Sequence, residues 1–153
     1  MSEVKQPRIL VVDDEAPIRL LLTDLLEEKG YTVLTAADGA AAIDCAIAQQ
    51  PDLILLDICM PDMEGMEVCA KLRKNPITRT IPVIFLTAFN SDERLEQAID
   101  MGANDFLGKP INSVELNVRI KAMLQTRHIP DEVERFSEYI QTMKTLRSQT
   151  AKP

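Results

Sequence analysis

The stretch LILLDICMPDMEG, residues 53–65, is an unbroken apolar run that ends on a carboxylate, Asp57, and then turns. A run with no polar alternation is what a strand covered on both faces needs, and that points to the centre of a parallel sheet. Pro61-Asp62-Met63-Glu64-Gly65 is turn chemistry leading into a helix around Met66 to Lys74, which Asn75-Pro76 breaks. Working outward, the same pattern recurs. Ile9 to Val12 runs into Asp13 and Asp14, Val83 to Leu86 into Thr87, and Asp105 to Leu107 toward Lys109. In a parallel sheet these strand ends lie along one edge and converge on one crevice. Three carboxylates, a hydroxyl and an ammonium would then share a small site. Such a set suits a divalent cation of the magnesium type, together with an anion such as a phosphoryl group that a lysine can neutralise.

Between the strands lie segments of helical period, the alternation expected of βα units. The first strand, about Arg8 to Val12, leads into a helix with Ile18, Leu21, Leu22, Leu25 and Leu26 on its apolar stripe, ended by Gly30. A second strand, about Tyr31 to Ala36, precedes an alanine-rich helix with Ala42, Ile43, Ala46 and Ile47 inward, closed by Pro51. Ile81 to Leu86 forms the fourth strand. Ser91 can cap a helix through Met101, a short strand near Asp105 to Leu107 follows, and a helix over about Ser113 to Gln125 completes five units.

Composition narrows the function classes. The chain has 153 residues, 46% of them hydrophobic, enough for one sizeable core. Its formal charge of −7 and the lack of a basic stretch argue against direct binding of nucleic acid or an anionic membrane surface. MSEVKQPRIL lacks the apolar centre of a signal peptide, and no apolar run approaches the ~20 residues that span a bilayer, so a cytoplasmic location is expected. Cys45, Cys59 and Cys69 make no CxxC spacing and read as reduced thiols.

Four segments together carry a family resemblance: VVDDE at 11–15, LLDICMPDMEG at 55–65, FLTA at 85–88 and DFLGKP at 105–110. Over roughly Pro7 to Thr126 the chain resembles a bacterial response-regulator receiver domain. The resemblance implies an α/β, flavodoxin-like, doubly wound five-stranded parallel sheet in the order 2-1-3-4-5, with helices on both faces. Asp57 would be the nucleophile that takes a phosphoryl group and becomes an acyl phosphate. Asp13 and Asp14 would crowd it with like charge unless a cation intervened. By resemblance that cation is Mg2+, held directly by Asp14 and Asp57, through water by Asp13, and by the backbone carbonyl of Cys59. Lys109 would pair with Asp57 at rest and with a phosphoryl oxygen after transfer. Thr87 would donate to the phosphoryl group, with Ala88 leaving room beside it. Phe106 matches the family's aromatic switch position, moving inward as Thr87 is drawn to the phosphoryl group. Phe89 would restrict hydrolytic water and lengthen the life of the phosphoryl group. The output face would be the fourth helix, fifth strand and fifth helix, roughly Ser91 to Gln125.

The expected biochemistry is therefore a switch in a two-component system. A sensor histidine kinase or phosphotransfer protein donates the phosphoryl group, and a downstream protein target reads the altered surface. Enzymatic activity would be limited to self-phosphotransfer and autodephosphorylation. A dehalogenase-type phosphatase would need a spaced DxD near the start, which the adjacent Asp13-Asp14 pair does not offer. A phosphorylation-independent pseudo-receiver, serving as an interaction module on the same fold, is the alternative that remains.

Beyond Thr126 the resemblance ends. His128-Ile129-Pro130 reads as a break, and Asp131 can cap an extra helix through about Ser148. Val133, Phe136, Ile140, Met143 and Leu146 fall at helical spacing, with Tyr139 alongside. The division expected is a receiver domain at 7–126 and a linker with an amphipathic helix at 127–153. This tail is too short for a DNA-binding or enzymatic output domain. A homodimer contact through the last helix is favoured over docking on its own receiver, and His128, an exposed linker residue, is not expected to relay phosphoryl groups.

Overall fold

The computed structural model describes residues 6–88, 96, 100 and 102–150. The helix expected over Ser91 to Met101 and the reading of Phe89 lie outside the described residues. The chain divides into two compact units, Met1–Lys109 and Pro110–Pro153.

The first unit holds β1 (Arg8–Val12), α1 (Ala16–Glu28), β2 (Thr32–Ala36), α2 (Gly39–Gln49), β3 (Leu53–Asp57), α3 (Gly65–Lys74), β4 (Val83–Thr87) and β5 (Asp105–Gly108). All strand pairings are parallel, and the sheet order is β2-β1-β3-β4-β5, as the family resemblance implied. Every residue of β3 and β4 is buried, which is why both read as continuous apolar runs. Successive strand residues face opposite sides of the sheet. Leu10, Val12, Ile54, Leu56, Val83 and Phe85 share one core cluster with Ala42 and Ala46 of α2 and Val68, Cys69 and Leu72 of α3. The intervening Ile9, Val11, Leu53, Leu55, Ile84 and Leu86 are equally buried on the other side, where α1 supplies Leu22 and Leu26.

One residue of the expected α1 stripe is misplaced. Leu21 is 50% exposed. Consecutive helical residues are about 100° apart, so a stripe centred on Leu22 and Leu26 turns Leu21 out to its margin, while Ile18 and Leu25 stay half-buried at the flanks. Local chemistry accounts for the helix ends. The Asp38 carboxylate accepts the Ala41 N–H at 2.8 Å to start α2. Gly30, at φ +93°, takes the left-handed conformation that closes α1 without a Cβ penalty.

The second unit holds α4 (Ser113–Thr126) and α5 (Glu132–Thr150). Asn112 caps α4, accepting the Glu115 N–H at 3.0 Å. Asp131 caps α5 as expected, through the Glu134 N–H at 2.8 Å. The two helices pack on each other, burying Tyr139 and Met143 of α5, and Glu115 of α4 is held by Arg147 and Arg119, the latter at 3.2 Å. The hydrogen bond from Arg147 keeps the Glu115 carboxyl below its ordinary range. Val133 and Phe136, counted with the apolar stripe in the sequence, are 79% and 61% exposed. No described helix is long and apolar enough to cross a membrane.

Candidate functional site

Four strand ends build the site, all in the first unit. After β1 the chain delivers Asp13, fully buried, and Asp14, exposed; β3 ends on Asp57, only 6% exposed; β4 ends on the buried Thr87; and Lys109 follows β5. Parallel registry brings these ends level, with Val12 beside Leu56, Asp57 beside Leu86 and Thr87 beside Gly108. Carboxylate oxygens of Asp13, Asp14 and Asp57 lie within 4.8 Å of one another. The Lys109 ammonium stands 3.1 Å from Asp13 Oδ2 and 3.5 Å from Asp57 Oδ2.

Backbone groups hold this arrangement. The Lys109 N–H donates to the Thr87 carbonyl at 2.7 Å, anchoring the lysine at the strand end. Asp13 Oδ1 accepts the Glu15 N–H at 2.9 Å, and the Asp13 carbonyl accepts from the Arg19 guanidinium at 2.7 Å. Asp57 Oδ1 accepts the Cys59 N–H at 3.2 Å. Cys59 thus meets the site through its amide, and its side chain is exposed. Phe106 is half-buried against the core cluster and pairs in register with Phe85.

The sequence paired Lys109 with Asp57 alone. Here its shorter contact is to Asp13, so the lysine is shared by both buried carboxylates. Nothing in the sequence marks Glu15 or Arg19: Glu15 acts through its own N–H, and the Arg19 guanidinium meets a backbone carbonyl, which residue type does not reveal.

Charge in this crevice is unbalanced. Burial pushes the Asp57 carboxyl above its ordinary range; Lys109 and the Cys59 N–H oppose that rise, and Asp13 and Asp14 add to it. Burial pulls the Lys109 ammonium down, but the hydrogen bond to Asp13 and the charge of Asp57 outweigh it and leave the group raised. Three hard carboxylate donors on one rim, short of positive charge, fit a divalent cation of the magnesium type.

A carboxyl with a raised folded pKa stabilises the fold most at low pH and loses that contribution as pH rises through the folded value. At neutral pH ionised Asp57 therefore opposes folding. Asp57→Asn, which leaves Lys109 its closer partner Asp13, is expected to raise the melting temperature by about 2–4 °C in chelator-containing buffer, roughly 1 kcal/mol. Circular dichroism melts of both proteins measure this. A lower melting temperature in the variant would contradict the charge imbalance.

Comparison with known proteins agrees with this geometry. Residues 9–121 match the family described as response regulator receiver domain. The chain is 46% identical over 127 residues to the response regulator PleD of Caulobacter vibrioides, covering 82% of this chain and 28% of that protein. It is 41% identical over 122 residues to the alkaline phosphatase synthesis transcriptional regulatory protein PhoP of Bacillus subtilis, covering 80% of this chain and 50% of that one. The chain thus spans half or less of the length of these curated relatives. Among solved structures it superposes on the chemotaxis protein CheY4 of Vibrio cholerae with a TM-score of 0.74 at 32% identity, covering 76% of this chain and 98% of that one. A CheY-like receiver domain protein of Methanospirillum hungatei gives 0.76 at 32% identity, covering 80% and 97%. With the match running from β1 into α4 and the acidic strand ends in place, the chain belongs to the response regulator receiver domain family of two-component signalling.

Proposed function

We propose that this chain is a phosphorylation-activated switch in which Asp57 accepts a phosphoryl group with Mg2+ bound. The observation that carries this reading is the position of Asp57: a buried carboxylate within 4.8 Å of two others and 3.5 Å from a lysine ammonium. In the transfer a carboxylate oxygen of Asp57 attacks the phosphorus of a phosphorylated donor. The new O–P bond makes an acyl phosphate, and the donor's bond to phosphorus breaks, its leaving atom keeping the electron pair. Asp14 and Asp57 would hold the magnesium directly, Asp13 through water, and the Cys59 carbonyl would complete the protein's share. When bound, the ion neutralises charge on the phosphoryl oxygens. Lys109 neutralises a further oxygen, and Thr87, buried at the end of β4, donates a hydrogen bond to the transferred group.

The phosphoryl donor is a histidine kinase or phosphotransfer protein, and slow autodephosphorylation resets the switch in the cytoplasm. Contacts of the phosphoryl group with Thr87 and Lys109 favour one arrangement of the loops after β4 and β5, with Phe106 following, and a downstream protein reads the difference. The receiver domain comprises 7–126, and 127–153 forms a linker and helix. Asp57→Asn separates these claims from a passive fold. Wild type incubated with acetyl phosphate or phosphoramidate and magnesium is expected to gain one phosphoryl group by intact mass, and the variant none. Wild type that stays unmodified, with those donors and with a phosphorylated kinase, would refute the switch.

Exposed Val133 and Phe136 support a homodimer contact through α5. Light scattering is expected to give a larger mass for the full chain than for a version ending at Thr126 beyond the loss of the tail itself; equal association states would discard the dimer.

A further inference from the structure

Gly65 opens α3, and its N–H donates to the Ile58 carbonyl at 2.7 Å. A Cβ placed on it would lie 2.3 Å from the Asp57 carbonyl oxygen, 2.9 Å from Ile58 Cα and 3.1 Å from the Asp57 carbonyl carbon. All three obstacles are backbone atoms, with no flexible side-chain end that could swing away. The first turn of α3 therefore rests directly on the Asp57–Ile58 peptide. That peptide is tied on its other side to β4, through the Ile58 N–H and the Leu86 carbonyl at 3.3 Å, and one residue further on the Cys59 N–H holds Asp57 Oδ1.

We propose that Gly65 is a positioning residue for phosphoryl transfer: by lacking a side chain it lets α3 brace the backbone of Asp57 and so aims the carboxylate. The proposal rests on Asp57 being the acceptor. Any side chain at position 65 has to open the contact by about 1 Å to reach ordinary van der Waals separation, and a 1 Å misplacement of a reacting group costs on the order of 10²-fold in rate. Gly39 offers the matched contrast. A Cβ there would meet Met63 Cβ at 2.8 Å and Val68 Cγ2 at 2.9 Å, crowding side chains of the same loop and helix but not the Asp57 backbone.

The test is the single-turnover rate of phosphorylation by acetyl phosphate with saturating magnesium, per folded molecule by circular dichroism, for wild type, Gly65→Ala and Gly39→Ala. Gly65→Ala is expected to fall about 10²-fold, and Gly39→Ala to stay within about two-fold of wild type while melting at a lower temperature. If Gly65→Ala does not fold, an osmolyte that favours the compact state restores it. A one-glycine insertion after Glu64 asks the same question without a new side chain: it lets α3 lift off Asp57 and is expected to slow transfer comparably. A rate for either folded variant within two-fold of wild type, or an equal loss in Gly39→Ala, overturns the proposal. Wild type that gains no phosphoryl group refutes the acceptor reading instead, so the two failures are distinct.

Discussion

Lys109→Ala is expected to slow phosphorylation from a small donor by about 10²–10³-fold and to destabilise the protein by about 2 kcal/mol. Asp13 is fully buried, and Lys109 is its one cationic partner among the described ion pairs. Removing one member of a buried pair leaves an uncompensated charge, typically at a cost of about 3–5 kcal/mol. The lysine side chain is 22% exposed, so solvent screening trims that figure. The pH dependence follows from the raised ammonium. Its contribution is complete below the ordinary lysine value of about 10.4 and disappears as pH rises through the folded value. Urea unfolding of wild type and variant is expected to show a constant gap from pH 7 to about pH 9 that closes in more alkaline buffer. Indistinguishable midpoints at neutral pH, or a transfer rate unaffected by the change, would show that Lys109 does not neutralise this site.

Arg73→Met is expected to be strongly destabilising, costing about 3–4 kcal/mol and lowering the melting temperature by roughly 10 °C. The Arg73 guanidinium donates to the carbonyls of Gly102 at 3.0 Å, Ile81 at 2.7 Å and Arg79 at 3.2 Å, and to Asn104 Oδ1 at 2.8 Å. Asn104 in turn accepts the Val83 N–H at 2.9 Å and donates its own N–H to the Val83 carbonyl at 2.9 Å. One side chain thus ties the end of α3 to the starts of β4 and β5. Burial lowers the guanidinium below its ordinary range, yet it stays charged because four oxygens replace its water. Methionine keeps the stem and leaves those acceptors without the donor. Lysine would restore little, because a point charge cannot span four acceptors in a plane. Chemical denaturation decides it. A loss below about 1 kcal/mol would mean that water substitutes for the guanidinium.

Arg73 also shows where sequence reading stops. On an amphipathic helix an arginine next to Lys74 reads as solvated, and its acceptors lie 6 to 31 residues away, so nothing local marks it as buried. Gly65 reads as a turn glycine, and its contact with Asp57 exists only once α3 folds back onto β3. Leu21 reads as core because its residue type is right, while the angle at which α1 meets the sheet decides that Leu22 and Leu26 are the buried pair. The last helix shows the same limit: its apolar spacing is plain, but whether that face meets another chain or α4 of its own is a packing outcome.

What the sequence determined by itself was the order of strands and helices, the parallel sheet and the acidic strand ends. Burial on both faces forces an unbroken apolar run, and the first polar residue after such a run must stand at the sheet's carboxyl edge. The tertiary structure alone decided how the charges are shared. It set Lys109 closer to Asp13 than to Asp57, gave Cys59 an amide contact with the Asp57 carboxylate, and placed a glycine against the Asp57 backbone. Those relations depend on distances of a few tenths of an ångström, some between segments far apart in the chain and some across a folded turn, and residue type and spacing carry no such information.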